Sequence, residues 1–265
     1  MLTGGAAYGA ALAAAFVLAS TASPAGVSGA VLLLPFQVSI LGTPSPAVTS
    51  TNLLYNVIAT PGALYRYWRQ GQTGGRLTSV LMTGTLPGVI AGSIIRVRLL
   101  PGARAFDVVI ATVLIPLGSW IVLDRVTPRL FTAAATTSHL SSPMLGAIAA
   151  MVGCVGGIYG IGGGSILAPI LIGSGRSPRE VAPATLASTL VTSIAGVATF
   201  LVLSIHHHGS IAPDWSIGVV LGVGGLAGGY TGARLQPRLP EALIRRVLGV
   251  LVLGIGTRYA WLAFS

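Results

Sequence analysis

The sequence predicts an all-α, polytopic membrane protein with about eight transmembrane helices in two repeated halves. The first observation is composition: 53% of the 265 residues are hydrophobic and 8% are charged, whereas a soluble domain carries about 25% charged residues. The second is a series of apolar stretches long enough to cross a bilayer, which takes about 20 residues. The third is a set of short matches between the two halves of the chain.

The apolar stretches give the candidate spans in chain order. They lie at residues 4–22, 25–41, 46–65, 77–95, 105–123, 143–173, 179–205, 213–233 and 243–263. The stretches 25–41 and 143–173 contain glycine and proline, so we expect broken or re-entrant helices there. The first two candidates could form one interrupted unit. The first stretch lacks the positively charged start of a signal peptide and is interpreted as a retained membrane segment.

Arginine supplies all 15 basic residues, and the net charge is +10. The absence of lysine excludes a Walker A phosphate loop and Schiff-base chemistry on lysine. The arginines fall between the apolar stretches, where they would meet lipid headgroups, so we expect membrane lipid and not nucleic acid as a partner. The single cysteine, Cys154, excludes an intrachain disulfide and a multi-cysteine metal site. No cofactor and no metal site are predicted.

Two pairs of segments occur in the same order in both halves of the chain. SPAVTSTNLLYN (45–56) aligns with PREVAPATLAST (178–189), and AGSIIRVRLLPGA (91–103) aligns with AGGYTGARLQPRL (227–239). Pro35 likewise stands where Pro169 stands in the second half.

These matches divide the chain into an N-terminal transmembrane repeat, residues 1–135, and a C-terminal transmembrane repeat, residues 136–265. Internal repeats with interrupted segments at matching positions are typical of secondary transporters. In such proteins the binding site lies between the repeats, near the bilayer midplane.

The stretch GIYGIGGGSILAPIL (157–171) places poor helix formers inside an apolar segment. Glycine costs about 1 kcal/mol in a helix interior relative to alanine, and proline about 3 kcal/mol. Glycines can adopt left-handed conformations and leave backbone amides pointing one way, towards an anion, where the next helical segment starts. The candidate residues here are Gly160, Gly162, Gly163, Gly164 and Ser165. The alternative is a tight packing seam between helices, which small residues also permit.

A stripe of neutral polar side chains occurs in each half at matching positions. In the second half, four hydroxyl residues at i, i+3, i+4 and i+7 share one helix face: Thr185, Ser188, Thr189 and Thr192. In the first half, the positions paired with the first three hold Asn52, Tyr55 and Asn56. Neutral donors can replace the hydration of an anion without burying a charge. The alternative is that these groups bond to their own or to neighbouring helices.

Arg98 and Arg234 also occupy matching positions, each at the end of an apolar segment just before Leu-x-Pro. They are candidates for a positive vestibule that attracts anions. The alternative is that both side chains extend to lipid headgroups.

None of the five acidic residues falls in the middle of a candidate span, where a proton-coupled carrier usually holds an acid. Asp107 would lie in the first turn of a helix. The adjacent His206, His207 and His208 would form a solvated cluster at a helix end, and His139 would lie in a loop. We therefore expect downhill efflux or facilitated transfer, with symport through Asp107 or the histidine cluster left open.

Four segments of the second half follow one another: GIYGIGGGSILAPIL, SPREVAPATLAST, HHHGSIAPDW and GVGGLAGGYTGARLQPRLPEALIRRVLGVLVL. Together they resemble the TauE/SafE sulfite exporter family, also called the toluene-sulfonate uptake permeases. The resemblance covers residues 143–263 and, more loosely, 24–123. The first half departs from the family, which often has a second glycine-rich motif there, because GVSGAVLLLPF (26–36) holds only Gly26 and Gly29.

The resemblance implies a cell-membrane transporter for sulfite, organosulfonates or related sulfur-containing anions. A passive anion channel, an assembly protein or a transporter of a different small ion stays open as an alternative. An intramembrane enzyme would need paired acids, a Ser–His pair or metal ligands at membrane depth. The sequence predicts none of these, so we do not expect an enzyme. Whether the chain forms a homo-oligomer is left open.

Overall fold

A computed structural model describes residues 5–72, 75–100, 108, 111–112, 115–116, 118–119, 142–206 and 210–264. The described chain is almost entirely helical and contains no strand, which confirms the all-α prediction for these residues. Its long elements are α1 (Gly5–Ala22), α2 (Ala30–Ser39), α3 (Ala47–Arg69), α4 (Arg76–Arg98), α5 (Ser142–Tyr159), α6 (Gly163–Gly173), α7 (Pro178–His206), α8 (Trp215–Leu235) and α9 (Glu241–Phe264). Short 3₁₀ turns, Ser23–Ala25 and Gln236–Arg238, follow α1 and α8.

Four stretches of the described chain are long and apolar enough to cross a membrane: Gly5–Ala25, Arg76–Arg98, Pro178–Ile205 and Trp215–Arg238. Shorter apolar helices cover Met144–Tyr159 and Gly163–Gly173. The predicted span at 105–123 falls mostly on residues outside the described part of the chain. A polytopic, apolar helical protein is therefore confirmed.

The predicted interruptions are present, and glycine causes both of them. At Gly160 the backbone turns left-handed with φ 77°, and the Ile161 N–H donates to the Gly156 carbonyl at 3.1 Å. This is the Schellman ending of an α-helix, in which a left-handed residue follows the last turn. At Gly26, φ is 76°, and the corresponding bond runs from Val27 N–H to the Ala22 carbonyl at 3.3 Å.

Glycines also allow two pairs of parallel helices to approach closely. A Cβ on Gly88 of α4 would lie 2.1 Å from the carbonyl oxygen of Ala150 on α5, and one on Gly92 would lie 2.0 Å from that of Cys154. Such distances leave no room for a side chain. The seam therefore needs glycine, as helix pairs in membranes often do.

The same arrangement joins α1 to α8. A Cβ on Gly224 would lie 2.4 Å from the carbonyl oxygen of Leu12, and one on Gly228 would lie 2.2 Å from that of Phe16. Helix α4 of the first half thus packs along α5 of the second, and α8 of the second half packs along α1 of the first. The two predicted halves are interleaved.

Helices α3 and α7 lie between these pairs and run in opposite directions. Gly196, in the second half of α7, contacts Leu53 near the start of α3, whereas Ala182 near the start of α7 clusters with Tyr67 near the end of α3. Helix α8 runs parallel to α3, and α4 runs parallel to α7. The pairs that set these directions are Leu54 with Gly218, Ile58 with Gly222, Thr85 with Ser188 and Val89 with Gly196.

Candidate functional site

The two helix interruptions lie against α3 and α7, which we call the central helices. Each interruption contacts the central helix of the opposite half. A Cβ on Gly160 would lie 2.4 Å from the Thr49 carbonyl oxygen on α3. A Cβ on Gly26 would lie 2.6 Å from the Cα of Ala182 on α7. The glycines therefore bring bare backbone of each interruption into direct contact with α3 or α7.

A hydrogen-bonded chain of four buried polar residues crosses from α3 to α7, and we call it the polar chain: Asn56, Ser28, Ser165 and Thr189. Ser28 Oγ donates to Asn56 Oδ1, and the Ser28 N–H donates to Ser165 Oγ at 3.2 Å. Ser165 Oγ in turn lies 3.4 Å from Thr189 Oγ1. One predicted site residue of the first half thus connects with two of the second through Ser28, which the sequence analysis missed.

Two further hydroxyls of the α7 stripe contact the interruptions. Thr185 Oγ1 donates to the Gly26 carbonyl at 2.8 Å, and Thr192 Oγ1 accepts from the Gly163 N–H at 3.2 Å. Both hydroxyls also lie within hydrogen-bond distance of a carbonyl oxygen one turn earlier in α7. They therefore hold the interrupted segments in place as well as lining them.

The stripe of the first half faces α2 and the first interruption. Asn52 Nδ2 donates to the Ala30 carbonyl at 3.0 Å, and Gln37 Nε2 donates to Asn52 Oδ1 at 2.9 Å. Tyr55 is fully buried, and its hydroxyl leaves no space for a side chain at Gly29, where a Cβ would lie 2.4 Å away. Asn52 and Tyr55 therefore border the first interruption, together with Asn56.

The four glycines of the second interruption have two roles. Gly160 and Gly162 carry positive φ values of 77° and 73°, which only glycine adopts without strain. Gly163 and Gly164 begin α6, and a Cβ on Gly164 would lie 1.8 Å from the Thr185 carbonyl oxygen. The glycines thus supply the left-handed turns and the close packing against α7, while a role of their amides towards an anion stays a prediction.

Several buried polar atoms at this junction have no hydrogen-bond partner among the described residues. They include Asn56 Nδ2, Ser193 Oγ and Gln37 Oε1. Ser193 Oγ lies 3.0 Å from the position of a Cβ on Gly162. A buried polar group without a partner costs about 1–3 kcal/mol in proteins. Each of these three atoms would therefore gain from a hydrogen-bond partner, as would other buried atoms of this kind elsewhere in the described chain, such as Thr60 Oγ1 and Gln236 Oε1.

Ser188 is the one member of the α7 stripe that faces α4. Its Oγ lies 2.8 Å from Thr85 Oγ1, and both residues are fully buried. Ser188 therefore joins α7 to α4 and lies beside the polar chain without being part of it.

Arg96 is a fully buried cation that the sequence analysis missed. Its Nε donates to Thr49 Oγ1 at 3.2 Å, and its Nη atoms bond to Ser45 Oγ and the Leu100 carbonyl. Thr49 also contacts the interruption at Gly160, so a single residue separates Arg96 from that interruption. The four-residue spacing from Gly88 and Gly92 puts Arg96 on the same face of α4, but only the structure shows that this face is the packed one.

The two arginines of the predicted vestibule are both exposed. Arg98 ends α4, and Arg234 lies one residue before the end of α8. Because α4 and α8 run in opposite directions, these side chains lie at opposite ends of the bundle.

The described acidic residues lie near helix starts. Asp214 caps α8, where its carboxylate accepts from the Ile217 N–H at 3.0 Å, while Glu180 and Glu241 lie in the first turns of α7 and α9. Asp107, His139, His207 and His208 lie outside the described residues, as does the side chain of His206 at the end of α7. In the part of the chain that is described, no group of three His, Cys, Asp or Glu residues could hold a metal ion.

Known proteins resemble this chain along most of its length. Residues 11–259 match the family model described as sulfite exporter TauE/SafE. Two relatives from Xylella fastidiosa, each named "Probable membrane transporter protein", align over 254 residues, which is 91% of this chain and 90% of theirs. The relative from strain 9a5c is 26% identical, and the relative from strain Temecula1 is 25% identical. No solved structure matches the chain. The chain is therefore a multi-pass membrane protein that belongs to the sulfite exporter TauE/SafE family of transporters.

Proposed function

We propose that the protein is a secondary transporter that moves sulfite, an organosulfonate or a related sulfur-containing anion across the cytoplasmic membrane, without chemical change to the anion. The observation that carries this proposal is the polar chain, which joins both interruptions and both central helices at one buried place. The anion would bind between the halves, at the interruptions and the stripes of α3 and α7.

The chemistry of the site suits an anion. Asn56 Nδ2 is a buried donor without a partner. The start of α6 adds backbone amides, because the first four N–H groups of a helix lack partners within it, although one of them, the Gly163 N–H, donates to Thr192 Oγ1. The positive end of the helix dipole adds to the attraction. Neutral donors of this kind can replace water around an anion without the cost of a buried charge.

We further propose that the two halves are inverted repeats, with residues 1–135 and 136–265 as the units. Gly26 and Gly160 end their helices in the same way, 134 positions apart. Gly88 and Gly92 make the seam with α5 that Gly224 and Gly228 make with α1. The opposite directions of α3 and α7 support a two-fold axis in the membrane plane, as in many secondary transporters.

The same pattern supports eight full-length membrane helices. In this proposal they are α1, α3, α4, α5, α7, α8, α9 and the segment predicted at 105–123. Helices α2 and α6, at 10 and 11 residues, are shorter than the roughly 20 residues that a full span needs. Because α1 and α3 run in the same direction, as do α5 and α7, the chain must return to the starting face between them, and α2 and α6 would be the half-helices of these two returns, beside the site.

The packing favours a carrier over a passive channel. Asn56 and Thr189 are fully buried, and Ser28 and Ser165 are 4% and 2% exposed. An anion would reach them only after the halves move relative to one another, which is how a carrier gives alternating access. We propose downhill efflux: a monoanion leaving a negative interior gains about 2.3 kcal/mol per 100 mV, roughly fifty-fold in concentration.

Flux in proteoliposomes tests the proposal. Purified protein should give saturable uptake of at least one anion from a panel of sulfite, thiosulfate, sulfoacetate and sulfate. The same anion trapped inside should accelerate uptake by counterflow, which a carrier shows and a channel does not. Thr189→Val should reduce the flux at least about tenfold if it removes one buried hydrogen bond to the anion. Thr199→Val is the matched control on α7, because the Thr199 hydroxyl bonds within its own helix.

Transport of divalent cations alone would overturn the proposal. Linear, non-saturable anion flux without counterflow would replace the carrier with a channel.

The exposed arginines provide a second test of the same proposal. Replacing Arg98 and Arg234 together with glutamine should slow anion flux at low ionic strength, because each arginine would attract anions to one opening. The difference from wild type should shrink at high salt, where the Debye length is about 3 Å at 1 M. Unchanged flux at low salt in a folded double variant would assign both side chains to lipid headgroups instead.

A further inference from the structure

Gln37 is a fully buried side chain of α2 that Asn52 holds in one orientation. Asn52 Nδ2 donates to the Ala30 carbonyl oxygen at 3.0 Å, and a carbonyl oxygen can only accept. The other amide atom that faces Gln37 is therefore Asn52 Oδ1, which accepts from Gln37 Nε2 at 2.9 Å. This order of bonds fixes which position in each carboxamide is the oxygen and which is the nitrogen. It leaves Gln37 Oε1 as the atom that still needs a partner.

Gln37 Oε1 is a buried acceptor for which the described residues supply no donor. Asn56 lies one helical turn, about 5.4 Å, beyond Asn52 on the same face of α3, and its Nδ2 is a buried donor without a partner. Two buried atoms without partners therefore lie on either side of Asn52: an acceptor on Gln37, which bonds to Asn52, and a donor on Asn56 of the polar chain. Purely accepting ligands, such as fully deprotonated oxyanions, would satisfy only the donor.

We infer that the transported anion carries a hydrogen-bond donor of its own, an O–H or N–H group beside its anionic oxygens, and that Gln37 Oε1 accepts from it. This inference rests on the proposed function and narrows its substrate class. Monoprotonated oxyanions and sulfonates that bear a hydroxyl or amino group belong to the class. Unsubstituted alkylsulfonates do not. Gln37 is thus a specificity-determining residue, because its acceptor would stay unpaired with an anion that has no donor.

The second half of the chain offers a natural replacement for this side chain. Leu171 follows Pro169 by two residues, as Gln37 follows Pro35, and it is fully buried on α6. A leucine therefore fits the corresponding place in the other half. Gln37→Leu therefore removes the acceptor and introduces the side chain that the second half has at the matching position.

The test compares hydroxyethanesulfonate with propanesulfonate, which have the same charge and nearly the same shape but differ by one O–H. Each is measured by the concentration that half-inhibits flux of the best-carried anion of the panel in proteoliposomes. Wild type should be inhibited by hydroxyethanesulfonate at about tenfold lower concentration. In Gln37→Leu the two compounds should inhibit equally. Gln70→Leu should keep the wild-type ratio, because Gln70 also bonds through Nε2 and leaves Oε1 unpartnered, but at the far end of α3.

Equal inhibition of wild type by the two sulfonates, or inhibition by neither, overturns the inference even if Gln37→Leu fails to fold. A wild-type ratio retained in folded Gln37→Leu overturns it as well. Flux that requires sodium in wild type but not in Gln37→Leu would assign Oε1 to a coupling cation, which also overturns it. If wild type carries neither a panel anion nor hydroxyethanesulfonate in the same liposomes, the proposed function itself fails.

Discussion

Gly26 and Gly160 show how much of the site depends on single residues. Each ends a helix with a left-handed turn and so exposes backbone that the next segment uses for contacts with the opposite half. A residue with a Cβ would lose about 1–2 kcal/mol in this conformation, before any clash. Ser28 acts at the same scale, because its hydroxyl and its N–H bond to different halves of the molecule.

Alanine substitutions at glycine should separate the strained positions from the open ones. Gly160→Ala and Gly164→Ala should each lower the stability of the purified protein by more than about 1 kcal/mol, because the first is left-handed and the second would place a methyl 1.8 Å from a carbonyl oxygen. Gly146→Ala in α5 is the matched control, because nothing lies within 4 Å of its Cβ position. It should gain up to about 1 kcal/mol of helix propensity.

Thermal unfolding in detergent measures all three variants. A Gly160→Ala protein that melts with wild type would show that the left-handed turn at this position is not required.

At the scale of the element, the end of α4 is fastened to the start of α3. Arg96 is buried and bonds to Thr49 and Ser45 at that start, while Arg98, two residues later, is exposed. The helix therefore carries one arginine for packing and one for the surface. From their sequence positions alone, the two arginines would be expected to be equally exposed, since both follow the same apolar run.

Glutamine substitutions of the two arginines should give different stabilities. Arg96→Gln should destabilise the protein by about 1–3 kcal/mol, because it leaves buried partners of a charged donor unpaired. Arg98→Gln should change stability by less than about 0.5 kcal/mol, as exposed substitutions usually do. The melting temperatures of the two purified variants measure the difference. Equal melting temperatures would contradict the buried role of Arg96.

For the whole molecule, the opposite directions of α4 and α8 put the ends of these helices at opposite faces of the bundle. Single cysteines at Leu99, which is 72% exposed, and at Leu235, which is 39% exposed, should therefore react with a membrane-impermeant maleimide from opposite sides. The experiment uses Cys154→Ser as background, since Cys154 is the single native cysteine. Right-side-out and inverted vesicles supply the two sides.

Labelling of both positions from the same side would refute the inverted arrangement. A wild-type rate of anion flux in each labelled variant would show that the cysteines leave the fold intact.

Much of the candidate site was predictable, because local physics acts on it directly. Glycine permits the left-handed turns that end a helix, so the turn at Gly160 followed from the sequence. The glycines of α8 and the prolines of α2 and α6, in contrast, lie inside unbroken helices. A four-residue periodicity puts Thr185 and Thr189 on one face regardless of their neighbours. Ser28, Gln37 and Arg96 were missed for the opposite reason: each is a single polar residue whose importance comes from helices distant in sequence.

The sequence by itself determined that the chain is apolar, helical and interrupted near residues 26 and 160, since composition, helix periodicity and glycine conformation are local properties. Only the tertiary structure decided which interruption faces which central helix, that Ser28 connects the two stripes, and that Arg96 is inside while Arg98 is outside. These features depend on the directions in which helices pack. Directions are set by the summed fit of many side chains and not by any one segment.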